Sequence, residues 1–418
     1  RYQMKQIAIL GFGTVGVGVA DILRDNADVV TKNAGEAVEL KYVVDLRDMP
    51  DSPYAAKMVK DFEIVVNDPE VSIVVEAIGG VGAALAMVRK ALAAGKTFQL
   101  ATFDEMDPED LIGTPYGCGA ISPMTEEEKK KYARLPEVQE NFYILCMKQM
   151  EEYMGKELKA VISTELGGLN TATALYCGAM AGKLIADGDP AGRSVPGLQH
   201  STYYLHDIPM CPISVMNKFG EGAVVTSVFD DERAEDLVRA LAVVSQNIVA
   251  VMDHVNTAGV LKNAVIRGAI SQSEAIGKAF LTAKAEGRDF VSSVVEAGKG
   301  KHMFRGVVTK SAFESRVGFT YGDTVIRGTG EYEGHTLHVW YQNENIISWL
   351  DDAFFVTVPD LICLFDLDEK MPQLNPYARE GENVAVICLP APDEWTTQRG
   401  LEVFGPRSFG YDVDYRPY

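Results

Sequence analysis

The run Ile7-Ala-Ile-Leu-Gly11-Phe12-Gly13-Thr14-Val15-Gly16 constrains this chain more than any other feature. A short apolar run ends in Gly-x-Gly-x-x-Gly, and Val15–Leu23 then continues with helical spacing. In that context each glycine has its own job. Gly11 permits a tight turn, Gly13 lets a pyrophosphate approach the backbone, and Gly16 lets helix and strand pack closely. The helix start offers unpaired N–H groups and a positive dipole end to phosphates. A second strand pattern, Val38–Asp45, closes on an acidic residue suited to a ribose. Arg47, two residues on, suits a 2′-phosphate, so NAD and NADP both stay open. The spacing predicts a Rossmann-like βαβ unit whose nucleotide contacts are Gly11, Phe12, Gly13, Thr14, Val15, Gly16, Asp45 and Arg47.

A chain of 418 residues has room for two or three domains. Further along the first hundred residues come an apolar run, Ile73–Ala77, the pair Gly79-Gly80, and a helical pattern, Ala83–Ala94, closed by Gly95. We expect an α/β fold: an N-terminal Rossmann-like parallel sheet over 1–97, a mixed α/β central domain over 98–300, and a β-rich C-terminal domain over 301–418. Helices are expected at 141–156, 171–183, 231–246 and 271–286. Gly113-Thr-Pro-Tyr-Gly-Cys-Gly119 has the composition of a loop. Past residue 300, alternation in Met303–Val308, Thr324–Gly328 and Thr336–Gln342 marks strands.

The formal net charge of −20 repels phosphate backbones and argues against nucleic-acid binding. Six scattered cysteines contain no C-x-x-C pair, which fits free thiols in a reducing compartment. No apolar run reaches about 18 residues, and the opening residues lead straight into a strand pattern. We therefore expect a cytoplasmic protein that binds a small-molecule substrate, touches no membrane and forms a homo-oligomer.

Two families are visible in the residues. Ile9-Leu-Gly-Phe-Gly-Thr-Val-Gly16, Val44-Asp-Leu-Arg-Asp-Met-Pro-Asp-Ser-Pro-Tyr54, Asn67-Asp-Pro-Glu70 and Ala91-Leu-Ala-Ala-Gly-Lys96 resemble the nucleotide domain of homoserine dehydrogenase. That family continues into an Asn-Lys motif whose lysine serves hydride transfer. This chain reads Thr97-Phe-Gln-Leu-Ala-Thr-Phe-Asp104 there, without a lysine. From about residue 78 onward the chain resembles the S-methyl thiohydantoin desulfurase family, which is associated with hydantoinase genes. The carrying phrases are Glu165-Leu-Gly-Gly-Leu-Asn170, Asp187-Gly-Asp-Pro-Ala-Gly-Arg193, Phe304-Arg-Gly-Val-Val308, Tyr341-Gln-Asn-Glu-Asn345, Val358-Pro-Asp-Leu-Ile362 and Gly405-Pro-Arg-Ser-Phe-Gly-Tyr-Asp412. The resemblance implies hydrolysis at a thiohydantoin or similar cyclic amide, with a sulfur leaving group.

Such chemistry needs an activated water, an oxyanion stabiliser and a proton donor. Glu165 follows a strand pattern and precedes a helix, where ligands bind in α/β sheets, and is a candidate base. Gly167, Gly168 and Asn170 would present donors to a ring carbonyl, or would form a tight turn with Asn170 as a cap. Asp187, Asp189 and His200 would hold a divalent metal, zinc or similar, or the two carboxylates would cap their loop. Arg193 would clamp a substrate carboxylate or make a structural ion pair. Cys118 would be a nucleophile in a glycine-rich loop, or only a small residue that fits that loop. Gln342-Asn-Glu344-Asn345 would close over the site from the C-terminal domain, or only form a turn. Three readings follow: a metal-assisted hydrolase, an NAD(P)-dependent oxidoreductase, and a non-catalytic nucleotide-binding or partner subunit of a hydantoinase-type system.

Overall fold

The structure, a computed structural model, describes residues 5–10, 19–21, 23–24, 27, 31, 37–45, 49–50, 52–60, 63–66, 68–76, 97–119, 130–316 and 319–418. The glycine run at 11–16, Arg47, Gly79-Gly80 and the 83–95 helix pattern lie outside the described residues. By compactness the chain divides into two units, 1–86 and 87–418.

The first unit holds a four-stranded parallel sheet of β1 (Lys5–Leu10), β2 (Val38–Val44), β3 (Met58–Val59) and β4 (Val71–Glu76), ordered β3-β2-β1-β4. Crossing from β1 to a parallel β2 requires a connection over the sheet face, and Ala20 lies on that connection. It packs with Ile9, Leu40, Val43 and Tyr54 into the unit's core. Asp45 sits half-buried directly after β2, its N–H bonded to the Val59 carbonyl at 3.1 Å.

The second unit opens with a seven-stranded mixed sheet. In chain order its strands are β5 (Leu100–Ala101), β6 (Leu111–Gly119), β7 (Ala160–Val161) and β8 (Leu184–Ala186), with β10 (Ile213–Met216), β11 (Gly222–Val225) and β12 (Ile248–Thr257) following. The two-residue β9 (Gly188–Asp189) pairs apart from it with β13 (Ile266–Arg267). Within the sheet the order is β11-β10-β12-β6-β7-β8-β5. The pairs β6–β7, β7–β8 and β8–β5 are parallel, and the β12 side is antiparallel. Helices α1 (Phe142–Met154) and α2 (Gly168–Ala181) cover one face through Met147, Met150, Tyr176 and Cys177. Helix α3 (Asp231–Val243) covers the other through Ala234, Val238 and Ala242 against Tyr116 and Cys118.

The expected 113–119 loop is instead the central strand β6. Its glycines serve close packing rather than turning. A Cβ on Gly113 would lie 2.5 Å from the Met252 sulfur, and one on Gly117 would lie 2.6 Å from the Tyr143 hydroxyl. Glycine in a strand interior marks such close approaches.

Helices α4 (Ala269–Ala285) and α5 (Phe290–Ala297) lead into an eight-stranded antiparallel sheet. Its strands are β14 (Lys301–Arg316), β15 (Phe319–Gly328), β16 (Thr336–Gln342), β17 (Glu344–Leu350), β18 (Ala353–Thr357), β19 (Leu361–Asp366), β20 (Met371–Gln373) and β21 (Asn383–Leu389). Phe290, Val291 and Val294 of α5 pack on Phe365, Ala385 and Ile387 of one sheet face. Helix α6 (Gln398–Phe404) buries Phe404 beside Trp395. No helix among the described residues is long and apolar enough to cross a membrane.

Candidate active site

The loop from β7 into α2 positions Glu165. Ser163 and Thr171 donate their hydroxyls to the Glu165 carbonyl at 2.6 and 3.0 Å, and Gly167 N–H donates to the same oxygen at 3.0 Å. The backbone is thereby fixed, and the carboxyl turns toward two donors. Asn170 Nδ2 bonds Oε1 at 2.6 Å and Val195 N–H bonds Oε2 at 2.7 Å. Asn170 does not cap α2. Its Oδ1 accepts the Gly117 N–H of β6 at 2.9 Å, so one side chain ties the central strand to the Glu165 carboxyl. The amide therefore positions Glu165 in place of the expected ring-carbonyl contact.

Glu344 opens β17 of the C-terminal sheet, and its carboxyl lies close enough to Glu165 for each to feel the other's charge. Burial raises the pKa of both carboxyls, and mutual repulsion adds to the rise at Glu344. Glu344 Oε2 is buried without a hydrogen-bond partner among the described residues. The charges of Arg193 and Arg239 pull in the opposite direction on both. The polar run at 342–345 thus reaches the site, by way of Glu344.

Arg193 is 1% exposed. Its guanidinium donates to the carbonyls of Ser194 (2.9 Å), Pro359 (2.7 Å) and Asp360 (2.8 Å), and lies 4.9 Å from the centre of the Phe404 ring. Carbonyls of the C-terminal domain hold the fork, so it is not available as the expected clamp on a substrate carboxylate. Arg239 of α3 bonds Glu235 and the Pro196 carbonyl (3.1 Å) and stacks 3.8 Å from the Phe319 ring centre. Glu235 in turn accepts the Leu198 N–H at 2.6 Å. Sequence reasoning missed Arg239 and Glu235, which look like an ordinary i,i+4 pair on an amphipathic helix.

The expected metal set does not converge. Asp187 accepts Ser271 N–H at 3.0 Å and Ser271 Oγ at 2.6 Å, closing the first turn of α4. That capping role also removes it from the catalytic set. Asp189 accepts Gly192 N–H at 2.6 Å and Ala191 N–H at 3.3 Å through one oxygen. The His200 ring lies against Phe404 and Phe409, and its Nδ1 accepts the Gly197 N–H at 3.1 Å. Burial, with help from the Arg193 charge, pushes His200 down to about 3, which keeps it neutral. Among the described residues no group of three His, Cys, Asp or Glu could hold a metal ion. Cys118 lies within β6, and burial pushes its thiol up to about 12, which favours the small packing residue over the nucleophile.

A second buried array lies on β12. His254, with φ 45°, sits in the irregular stretch between Asp253 and Asn256. That backbone brings adjacent side chains together: His254 Nδ1 lies 2.8 Å from Asp253 Oδ1, and Tyr116 Oη donates to Asp253 Oδ2 at 2.6 Å.

Residues 76–227 match the S-Me-THD-like N-terminal domain, and residues 229–418 match the S-Me-THD-like C-terminal domain. The chain belongs to the S-Me-THD-like family. A solved protein from Chromobacterium violaceum is 22% identical with a TM-score of 0.60, over 79% of this chain and 92% of that one. At that identity the likeness concerns the fold. A separate segment of this S-Me-THD-like chain is similar to homoserine dehydrogenases. It is 37% identical to the Helicobacter pylori protein over 93 residues, and 39% identical to the Neisseria gonorrhoeae protein over 93 residues. The match covers 22% of this chain and 22% and 21% of those proteins, so the chain spans about a fifth of their length.

Proposed function

We propose that the S-Me-THD-like part is a hydrolase of thiohydantoins or related cyclic amides, with the Glu165–Glu344 pair as its acid and base. The observation that carries this reading is the pair itself: two carboxyls from different domains, both with raised pKa, flanked by two arginines. Two buried carboxyls that feel each other's charge do not ionise together, so one can keep its proton as the acid while the other serves as the base. Glu165, hydrogen-bonded in its ionised form by Asn170 and Val195, is the base. It takes a proton from water as the water oxygen bonds to the ring carbon that bears sulfur. Glu344, held protonated, gives its proton to the departing sulfur as the C–S bond breaks. The C=N electron pair moves to the ring nitrogen on attack and returns as the C–S bond breaks. The remaining O–H proton then passes to the ring nitrogen, leaving a ring carbonyl and N–H, while the sulfur leaves as a thiol and no electron transfer is needed.

The N-terminal unit is assigned NAD(P) binding through Gly11–Gly16 and Asp45. Its all-parallel β3-β2-β1-β4 order and the position of Asp45 after β2 fit that role. The oxidoreductase reading has the same support but lacks the lysine that hydride transfer uses in homoserine dehydrogenase.

The test is release of thiol from an S-methyl thiohydantoin by wild type, Glu165→Gln and Glu344→Gln. Each variant is expected to lose about 100-fold or more in kcat with KM little changed. Full turnover in both variants would overturn the assignment.

A further inference from the structure

We infer that the second unit carries an anion site, separate from the Glu165–Glu344 pair, that takes a phosphate group. It is a cavity of about 340 Å³ between the end of α4, the start of α5, β14 and the β19–β20 turn. Lys284, Arg288, Arg305 and Lys370 line it, with Asp289 and Phe290. Four cations against one carboxylate is an unusual concentration in a chain whose net charge is −20.

The single carboxylate is already engaged. Asp289 accepts Val291 N–H at 3.0 Å, Ser292 N–H at 3.3 Å and Ser292 Oγ at 2.7 Å, capping α5. The helix amides are therefore closed, and any anion must be held by side chains. Arg288 pairs with Glu286 at 2.6 Å. The other three cations make no ion pair among the described residues. Lys284 Nζ has the Met371 sulfur at 3.4 Å and the Phe280 ring centre at 5.0 Å. Lys284 is also near enough to Lys370 to feel its charge, and partial burial and that charge together lower its pKa. Two ammonium groups and two guanidinium groups face one cavity with a single carboxylate, Asp289, whose charge Arg305 feels, so positive charge is left in excess and the cations repel one another. A bound anion relieves that repulsion.

The geometry points to phosphate rather than a metal or an apolar ligand. Arg305 on a strand offers a planar fork of donors, and Lys284 and Lys370 add point charges from two other elements. Three cations from three elements match the several oxygens of a phosphate better than a single carboxylate would. Phe290 and Leu367 are the apolar residues of the lining, on the side where the rest of a phosphorylated ligand would lie.

The experiment is calorimetric titration of the full chain in phosphate-free buffer at low salt, with inorganic phosphate in one arm and phenyl phosphate in the other. Saturable binding is expected in at least one arm, weakened about tenfold or more by Arg305→Ala and by Lys370→Ala. Lys370→Arg is expected to retain binding. Tighter phenyl phosphate binding indicates a phosphorylated small molecule as the occupant, and tighter inorganic phosphate binding indicates the free ion. Arg305 and Lys370 are exposed, so unchanged circular dichroism melts accompany the loss. Absence of saturation up to about 20 mM overturns the site. Phosphate binding that is undiminished in the Arg305→Ala/Lys370→Ala double variant overturns it too, because the anion then binds elsewhere. Thiohydantoin turnover is expected to be unchanged in the double variant, so this result and that for Glu165–Glu344 stand or fall separately.

Discussion

Asp189 links a single proton to the stability of the fold. The residue is fully buried, and burial pushes its carboxyl from the ordinary 3.8 up to about 7. The folded chain therefore holds this proton more tightly than the unfolded chain. Its contribution to stability is complete below about pH 3.8 and is lost as pH rises through about 7. Wild type is expected to lose several degrees of Tm between pH 5 and pH 8, and Asp189→Asn to flatten that slope. Parallel slopes in scanning calorimetry would show that the carboxyl is ionised throughout. The residue scale also shows where sequence reasoning reached its limit. That Glu165 and Asn170 come together follows from a strand end leading into a helix, a place where side chains converge. Asp187, Asp189 and His200 were not, because nearness along the chain does not say which backbone N–H groups take their lone pairs. Ser271, Gly192 and Gly197 took them. Asp253 and His254 are consecutive, which on a regular strand puts side chains on opposite faces. Only the irregular backbone at His254 pairs them.

At the scale of elements, most of the helices and strands follow from periodicity. The helices expected at 141–156, 171–183, 231–246 and 271–286 appear as Phe142–Met154, Gly168–Ala181, Asp231–Val243 and Ala269–Ala285. The exception is β6, where glycine and proline read as loop punctuation. Tertiary packing overrode local composition, because α1 approaches this strand so closely that Tyr143 meets Gly117. Gly117→Ala forces a methyl group against the Tyr143 hydroxyl. It is expected to cost about 1–3 kcal/mol by overpacking. The same shift disturbs the Gly117 N–H that holds Asn170, and so the Glu165 carboxyl. Thiohydantoin turnover is expected to fall along with Tm. Removing the hydroxyl in Gly117→Ala/Tyr143→Phe is expected to recover part of both, a non-additivity readable by denaturant melts and kcat. Additive losses would mean that the close contact is not the cause.

For the whole molecule, the question is how a chain of charge −20 would bind an anionic dinucleotide. The general field opposes it, so binding must depend on local donors: backbone N–H groups at the glycine run and hydrogen bonds from the ribose to Asp45. Short hydrogen bonds of this kind lose less to salt than ion pairs do, and salt also screens the unfavourable field. NADH affinity is therefore expected to hold or rise between about 50 and 200 mM salt, followed by nicotinamide fluorescence. If Arg47 meets a 2′-phosphate, NADPH alone carries a favourable ion pair, and its affinity falls over the same range. The two salt slopes thus decide between the cofactors on physical grounds that the sequence left open. Asp45→Ala is expected to weaken NADH more than NADPH, since the ribose diol contact exists only in NADH. Failure of both nucleotides to saturate at about 1 mM would remove nucleotide binding from the N-terminal unit, and with it the remaining case for redox chemistry. The Glu165–Glu344 assignment would be untouched, because every residue it uses lies in the S-Me-THD-like part of the chain.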